Sequence, residues 1–198
     1  MLISAFIKFR TGIINKEKIY SIELRNGDLL FRRGRSFESF AVYLADRERE
    51  FTHVGIIVED NGTPWVVHVV PGEQGCKSER IRKESPAFFL SRENASSFAL
   101  VRSDFDQKTL ARVAEQALLF YQKRVTFDDQ YDLSTENKLY CTELILKAFQ
   151  NADSPLQGIE TRELDYVLGK HSIIFPGEIL RNPAFKRIEI TQPFIIKN

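Results

Sequence analysis

Thiol and imidazole groups are scarce in this chain: Cys76, Cys141, His53, His68 and His171 are all it has. Two cysteines allow one bridge at most, which is no disulfide framework, and no CxxC or HxxxH pair supplies a compact metal site. A thiol beside an imidazole has one well-defined chemistry. The sulfur attacks an acyl carbon while the imidazole takes and returns the proton. Two histidines and a cysteine can also supply three zinc ligands. Either chemistry depends on which of these five residues the fold brings together.

A hairpin sets the spacing of two of them. Val54 to Val58 and Trp65 to Val70 flank Asp60 Asn61 Gly62 Thr63, the strongest short-range hairpin signal in the chain. With Asn61 and Gly62 as a two-residue loop, Asp60 pairs with Thr63, His53 faces Val70 and His68 faces Gly55. The two histidines then share a sheet face as diagonal neighbours, about 7–8 Å apart at Cα. Gly55, with no side chain opposite His68, leaves room on that face. A three-residue loop would put the histidines on opposite faces.

The helix predicted after Tyr140 carries Cys141, Leu144, Ile145, Ala148, Phe149 and Ala152 on one stripe. A thiol at its start meets the unpaired N–H groups of the first turn and the positive dipole end, which favour thiolate and can hold an oxyanion. Spacing alone leaves plainer readings open. Cys141 on an apolar stripe reads as a core thiol, His53 as a strand-edge residue and His68, alternating with valines, as a core histidine. Cys76 and His171 read as loop or surface residues. Asp128, Asp129 and Asp132 lack the spacing and closing Glu of a calcium loop and read as turn-forming, solvating groups.

Other elements frame these positions. A strand at Leu29 to Phe31 follows a Gly27 Asp28 turn, and Phe37, Phe40, Ala41 and Leu44 recur at helical spacing behind Ser36 to about Ala45. A strand at Ser97 to Val101 precedes a helix with Leu110, Val113, Ala114, Ala117, Leu118 and Tyr121 on one face. Pro176 opens a short helix, and Arg187 to Ile190 forms a last strand. Strand and helix runs are segregated, which favours α+β over a doubly wound sheet.

At 198 residues, with no linker or repeat, residues 1–198 are expected to form one domain, 1–26 being an N-terminal extension without a clear pattern. An apolar content of 43% suffices for a core, and a net charge of +1 lacks the basic excess of a nucleic-acid binder. The first uncharged stretch is too short for a signal or membrane span, so the chain as it stands reads as cytoplasmic, although a removed leader leaves no trace.

Taken in order, Gly27 Asp28 Leu29 Leu30 Phe31, then Thr52 His53 Val54 Gly55 Ile56 Ile57 Val58, then Val66 Val67 His68, then Lys138 Leu139 Tyr140 Cys141 Thr142 Glu143 Leu144 Ile145 resemble a known family. They look like the circularly permuted papain-like amidases of the NlpC superfamily, the YaeF/YiiX group. In that superfamily the cysteine helix ordinarily precedes the histidine strands; here the histidines come first, the mark of the permuted group. The resemblance runs from about Gly27 to about Phe185, taking in Phe127 Asp128, Tyr131 Asp132 and Phe175 Pro176 Gly177.

It implies a papain-like core, an antiparallel sheet or partial barrel packed against helices that include the cysteine helix. It makes Cys141 the nucleophile, His53 the base and His68 the third, orienting residue, a position where the permuted bacterial group carries Glu. The implied reaction is amide cleavage through a Cys141 thioester by a cysteine amidase or peptidase. No metal or organic cofactor is required. The substrate would be a small molecule, a peptide or an acyl amide, not nucleic acid. A lipid-directed acyltransferase, an N-acyl amino acid hydrolase with the sixteen Phe lining an acyl channel, and a non-catalytic binding module are the alternatives.

Overall fold

The structure, a computed structural model, describes residues 23–71, 80–166 and 169–191. Cys76 and most of the N-terminal extension lie outside them. The turn at Gly27 and Asp28 feeds β1 (Leu29–Arg33), and Ser36 caps α1 (Phe37–Ala45) by accepting the Ser39 N–H. There follow β2 (His53–Asp60), β3 (Thr63–Val70), β4 (Arg80–Glu84) and the single-turn α2 (Pro86–Phe89). Then come β5 (Ser97–Ser103), α3 (Gln107–Gln122), β6 (Thr126–Phe127), β7 (Lys138–Leu139) and α4 (Cys141–Asn151). The hairpin of β8 (Arg162–Tyr166) and β9 (Gly169–Ile173), α5 (Pro176–Leu180) and β10 (Phe185–Thr191) complete the described order.

Eight strands curl into one half-barrel sheet in the order β10-β5-β1-β2-β3-β4-β6-β7, antiparallel except for β6 with β7. This is the α+β architecture expected, a partial barrel with helices against it. Asn61 and Gly62 both take positive φ, 52° and 73°, the requirement of a two-residue type I′ turn. The register that results is Asp60 with Thr63 and Ile56 with Val67. It also brings Gly55 under His68: a Cβ on Gly55 would lie 3.1 Å from His68 Cβ and 2.4 Å from Val66 Cγ1. Glycine is the residue that lets these strands approach there.

The pleat of β2 sorts its side chains. Val54, Ile56 and Val58 join Val67, Val69 and the α3 and α4 residues Val113, Ala117, Leu144 and Ile145 in the main core. On the other face Ile57 meets Leu30, Val66, Phe89 and Leu100. Leu144 and Ile145 are wholly buried, each such side chain stabilising the fold by roughly 1.5–3 kcal/mol. The α4 stripe is therefore what holds the cysteine helix against β2 and β3.

Several sequence expectations shift. In α1 the apolar residues at helical spacing are not the packed ones: Phe40 and Leu44 are exposed, while Val42 and Ala45 pack on Tyr140, Ile173 and Phe175. In α3 Tyr121 is exposed and Phe120 takes the core position. Asp128 is fully buried instead of solvating, its carboxylate accepting the Gln130 and Asp132 N–H groups and folding the turn before β7. His171 lies in strand β9, paired with Leu164, instead of a loop. Asp28, in the opening turn, is buried and grips Arg102 of β5 through two 2.8 Å hydrogen bonds.

Candidate active site

His53 is the first residue of β2 and His68 the sixth of β3, and the hairpin register turns both rings to one face. His53 Nε2 lies 2.9 Å from His68 Nδ1, and His68 Nε2 lies 3.0 Å from Glu84 Oε2. The end of this chain fixes the rest. The His68 hydrogen bond and charge keep the Glu84 carboxylate ionised and so an acceptor only; His68 Nε2 therefore carries the proton donated to it, and His68 Nδ1 accepts. His53 then donates from Nε2, which leaves His53 Nδ1 unprotonated and free of this relay. Phe89 packs against both rings, with centroids 5.7 Å and 4.9 Å away, and holds their planes.

Sequence reasoning missed Glu84. It belongs to a strand reading Arg Ile Arg Lys Glu, which has the composition of a solvated edge. Pairing with β3 sets Arg82 opposite His68 and Glu84 two residues on, on the same face. Only that non-local pairing reveals it.

Cys141 opens α4, immediately after the N-cap Tyr140. Three contacts aim this end of the helix. Thr142 Oγ1 donates to the Ile174 carbonyl at 2.7 Å, Tyr140 Oη accepts the Ile174 N–H at 3.2 Å, and the Glu143 carboxylate accepts the Tyr140 N–H at 3.4 Å. Cys141 and His53 both line a cleft of about 770 Å³. Among the described residues no hydrogen bond joins thiol and imidazole directly; such contacts commonly tighten only when substrate is bound.

Electrostatics set the resting protonation states. Burial pushes the Cys141 thiol up to about 11, against the pull of the N–H groups of Val54, Thr142 and Cys141 and of the Arg32 charge. At this helix terminus desolvation thus outweighs the N–H groups that favour thiolate. Burial, then Arg32 and His68, hold His53 well below the usual imidazole value. Burial also lowers His68, opposed by its bond to Glu84. Burial raises Glu84, but the His68 hydrogen bond and charge carry it below the ordinary carboxylate value. The Cys141 and His53 shifts both favour the neutral thiol and the neutral imidazole over an ion pair.

No three His, Cys, Asp or Glu side chains converge as a metal set among the described residues. His53, His68 and Glu84 spend their facing atoms on one another, so the zinc reading does not fit this geometry. Cys76 lies outside the described residues, and His171 does not line the cleft.

A cysteine at a helix start, set beside a histidine pair on a curled sheet with helices against it, is the papain-like arrangement. The chain belongs to the permuted papain-like amidase family YaeF/YiiX, C92, whose model matches residues 23–171. That match stops short of Phe175 to Gly177. Among solved structures the chain is similar to one described as the metalloprotein yiiX of Escherichia coli O157:H7, at 17% identity and a TM-score of 0.71. The alignment covers 86% of this chain and 99% of that one, a likeness of fold. Comparison with curated protein sequences gives no significant match. No helix among the described residues is long and apolar enough to cross a membrane.

Proposed function

We propose that this protein cleaves an amide by acyl transfer through Cys141, with His53 as base, His68 holding the base and Glu84 setting the tautomer of both rings. The observation that carries this reading is the His53–His68–Glu84 chain, which presents an unprotonated nitrogen on the cleft shared with Cys141. His53 takes the thiol proton as sulfur bonds to the acyl carbon, and the Cys141 N–H at the helix start stabilises the oxyanion. The carbon–nitrogen bond then breaks and His53 protonates the leaving amine. Water adds to the thioester, its proton returns through His53, and the free acid and thiol are released.

Part of the cleft lining is apolar, contributed by Val42, Ala45, Phe127, Tyr131 and Phe175, which pack in one cluster. This favours an apolar acyl group over a cell-wall peptide. The yiiX structure is described as that of a metalloprotein; among the described residues of this chain no three His, Cys, Asp or Glu side chains are grouped to hold a metal ion. Residues 1–198 acting as a single domain is part of this proposal. Incubation with a decanoyl amide should release decanoate, and intact mass spectrometry should show a decanoyl adduct on Cys141. Hydrolysis that survives in Cys141→Ala overturns the reading, and decanoyl amide binding without turnover or adduct would instead support a binding module.

A further inference from the structure

The polar wall of the cleft holds more cation than it neutralises. Arg32, Arg35 and Arg82 line it, against Glu84 and Glu93. Glu84 is already committed, its Oε2 to His68 and its Oε1 to Arg82 at 3.6 Å. Glu93 lies on the exposed surface. Of these arginines, Arg32 sits on β1 directly across from His53 and Arg82 on β4 across from His68, and Arg82 already has Glu84 as its ion-pair partner.

The Arg32 guanidinium is held firmly but incompletely. The carbon lies 4.3 Å over the Phe89 ring, and Nη1 donates to the Phe89 carbonyl at 2.9 Å. Nε is buried with no acceptor, and Nη2 takes no partner among the described residues. No carboxylate among them forms an ion pair with Arg32. Burial pulls Arg32 down to about 10, and the charge of Glu84 opposes that pull. A guanidinium kept only to pack on Phe89 would gain nothing from facing the cleft, where desolvation without a counter-charge is costly. An anion arriving with the substrate would supply that counter-charge.

We propose that Arg32 receives a carboxylate of the substrate beside Cys141, so that the scissile amide joins an apolar acyl group to a carboxylate-bearing amine. The inference rests on Cys141 being the nucleophile. The apolar wall takes the acyl group, and the planar fork of the guanidinium takes the two carboxylate oxygens.

Alkylation tests this without turnover. Rates of Cys141 with iodoacetate and with iodoacetamide are measured on the full chain by peptide mass spectrometry, each divided by the glutathione rate at the same pH. The iodoacetate to iodoacetamide ratio should be about tenfold higher at Cys141 than at glutathione, as expected for a charge-assisted hydrogen bond. It should fall to the glutathione ratio in Arg32→Gln and largely return in Arg32→Lys, with folding checked by circular dichroism. N-decanoylglycine should protect Cys141 from iodoacetamide at about tenfold lower concentration than N-decanoylglycinamide. A wild-type ratio equal to that of glutathione, or one unchanged in Arg32→Gln, overturns the inference while leaving the nucleophile in place. A folded protein whose Cys141 resists both reagents overturns the nucleophile and this inference with it.

Discussion

Arg32 and Arg102 stand on neighbouring strands of one sheet and are treated in opposite ways. Arg102 meets Asp28 through Nε and Nη2, both at 2.8 Å, and reaches the Glu23 carbonyl as well. That pairing raises it above its ordinary value. Arg32 meets one backbone carbonyl and an aromatic face, and burial lowers it. The first is a clasp: it ties the turn before β1 to β5. The second is a charge left short of partners at the wall of a cleft. A buried cation with its anion is structure, whereas one without it is placed for something the chain does not itself contain.

The same contrast separates the two ends of the sheet. At Asp28 the buried carboxylate accepts from Arg102 Nε and Nη2 and from the Arg25 N–H. Around the cleft, the relay of His53, His68 and Glu84 is satisfied within itself but ends on a free imidazole nitrogen, and Cys141 is only partly covered.

The largest expected effect lies in activity at the cleft. His53→Ala should reduce amide hydrolysis by roughly 10²–10⁴-fold with little change in melting temperature. A fall in both together would place His53 with the structural residues. Next comes stability at the clasp. Arg102→Met leaves the fully buried Asp28 carboxylate without its cation and should cost about 3–5 kcal/mol in urea unfolding. Arg32→Met should be neutral or slightly stabilising in the same measurement, because it removes an unpaired charge. Equal losses for the two would erase the comparison.

Glu84→Gln should lower kcat by about tenfold with KM nearly unchanged, since a neutral amide can accept or donate and no longer dictates the ring tautomers. A change confined to KM would place Glu84 at the substrate instead.

The smallest effect is on stability against pH. His53 and His68 have lowered folded values, so their contribution is complete above about 6.5 and is lost as pH falls through those values. Glu143 opposes this. Burial raises it to about 7, so its unfavourable ionisation is relieved as pH falls towards its ordinary range. Melting temperature should therefore drop only modestly from pH 7.5 to 5, and the drop should steepen in Glu143→Gln. A flat profile in that variant would mean the histidines remain solvated.

How far the sequence could be read follows from the range of each interaction. The His53 and His68 pairing depends on a two-residue turn, and Asn61 Gly62 encodes that turn within four residues. The start of α4 is equally local, as its apolar stripe and the change of periodicity at Tyr140 mark it. The choice of packed face in α1 was not legible, because Phe40 and Val42 are both apolar and only the position of Tyr140 and Phe175 decides between them.

Sequence alone therefore determined the fold class, the hairpin register and which cysteine begins a helix, all of which rest on short-range patterns. Only the tertiary structure decided that Glu84 closes the relay, that Arg32 lacks a counter-charge and that burial raises the Cys141 thiol. Each of these depends on strand pairing across long separations and on burial. Neighbouring residues in the chain do not determine desolvation; the atoms that exclude water from a charge come from everywhere in the fold.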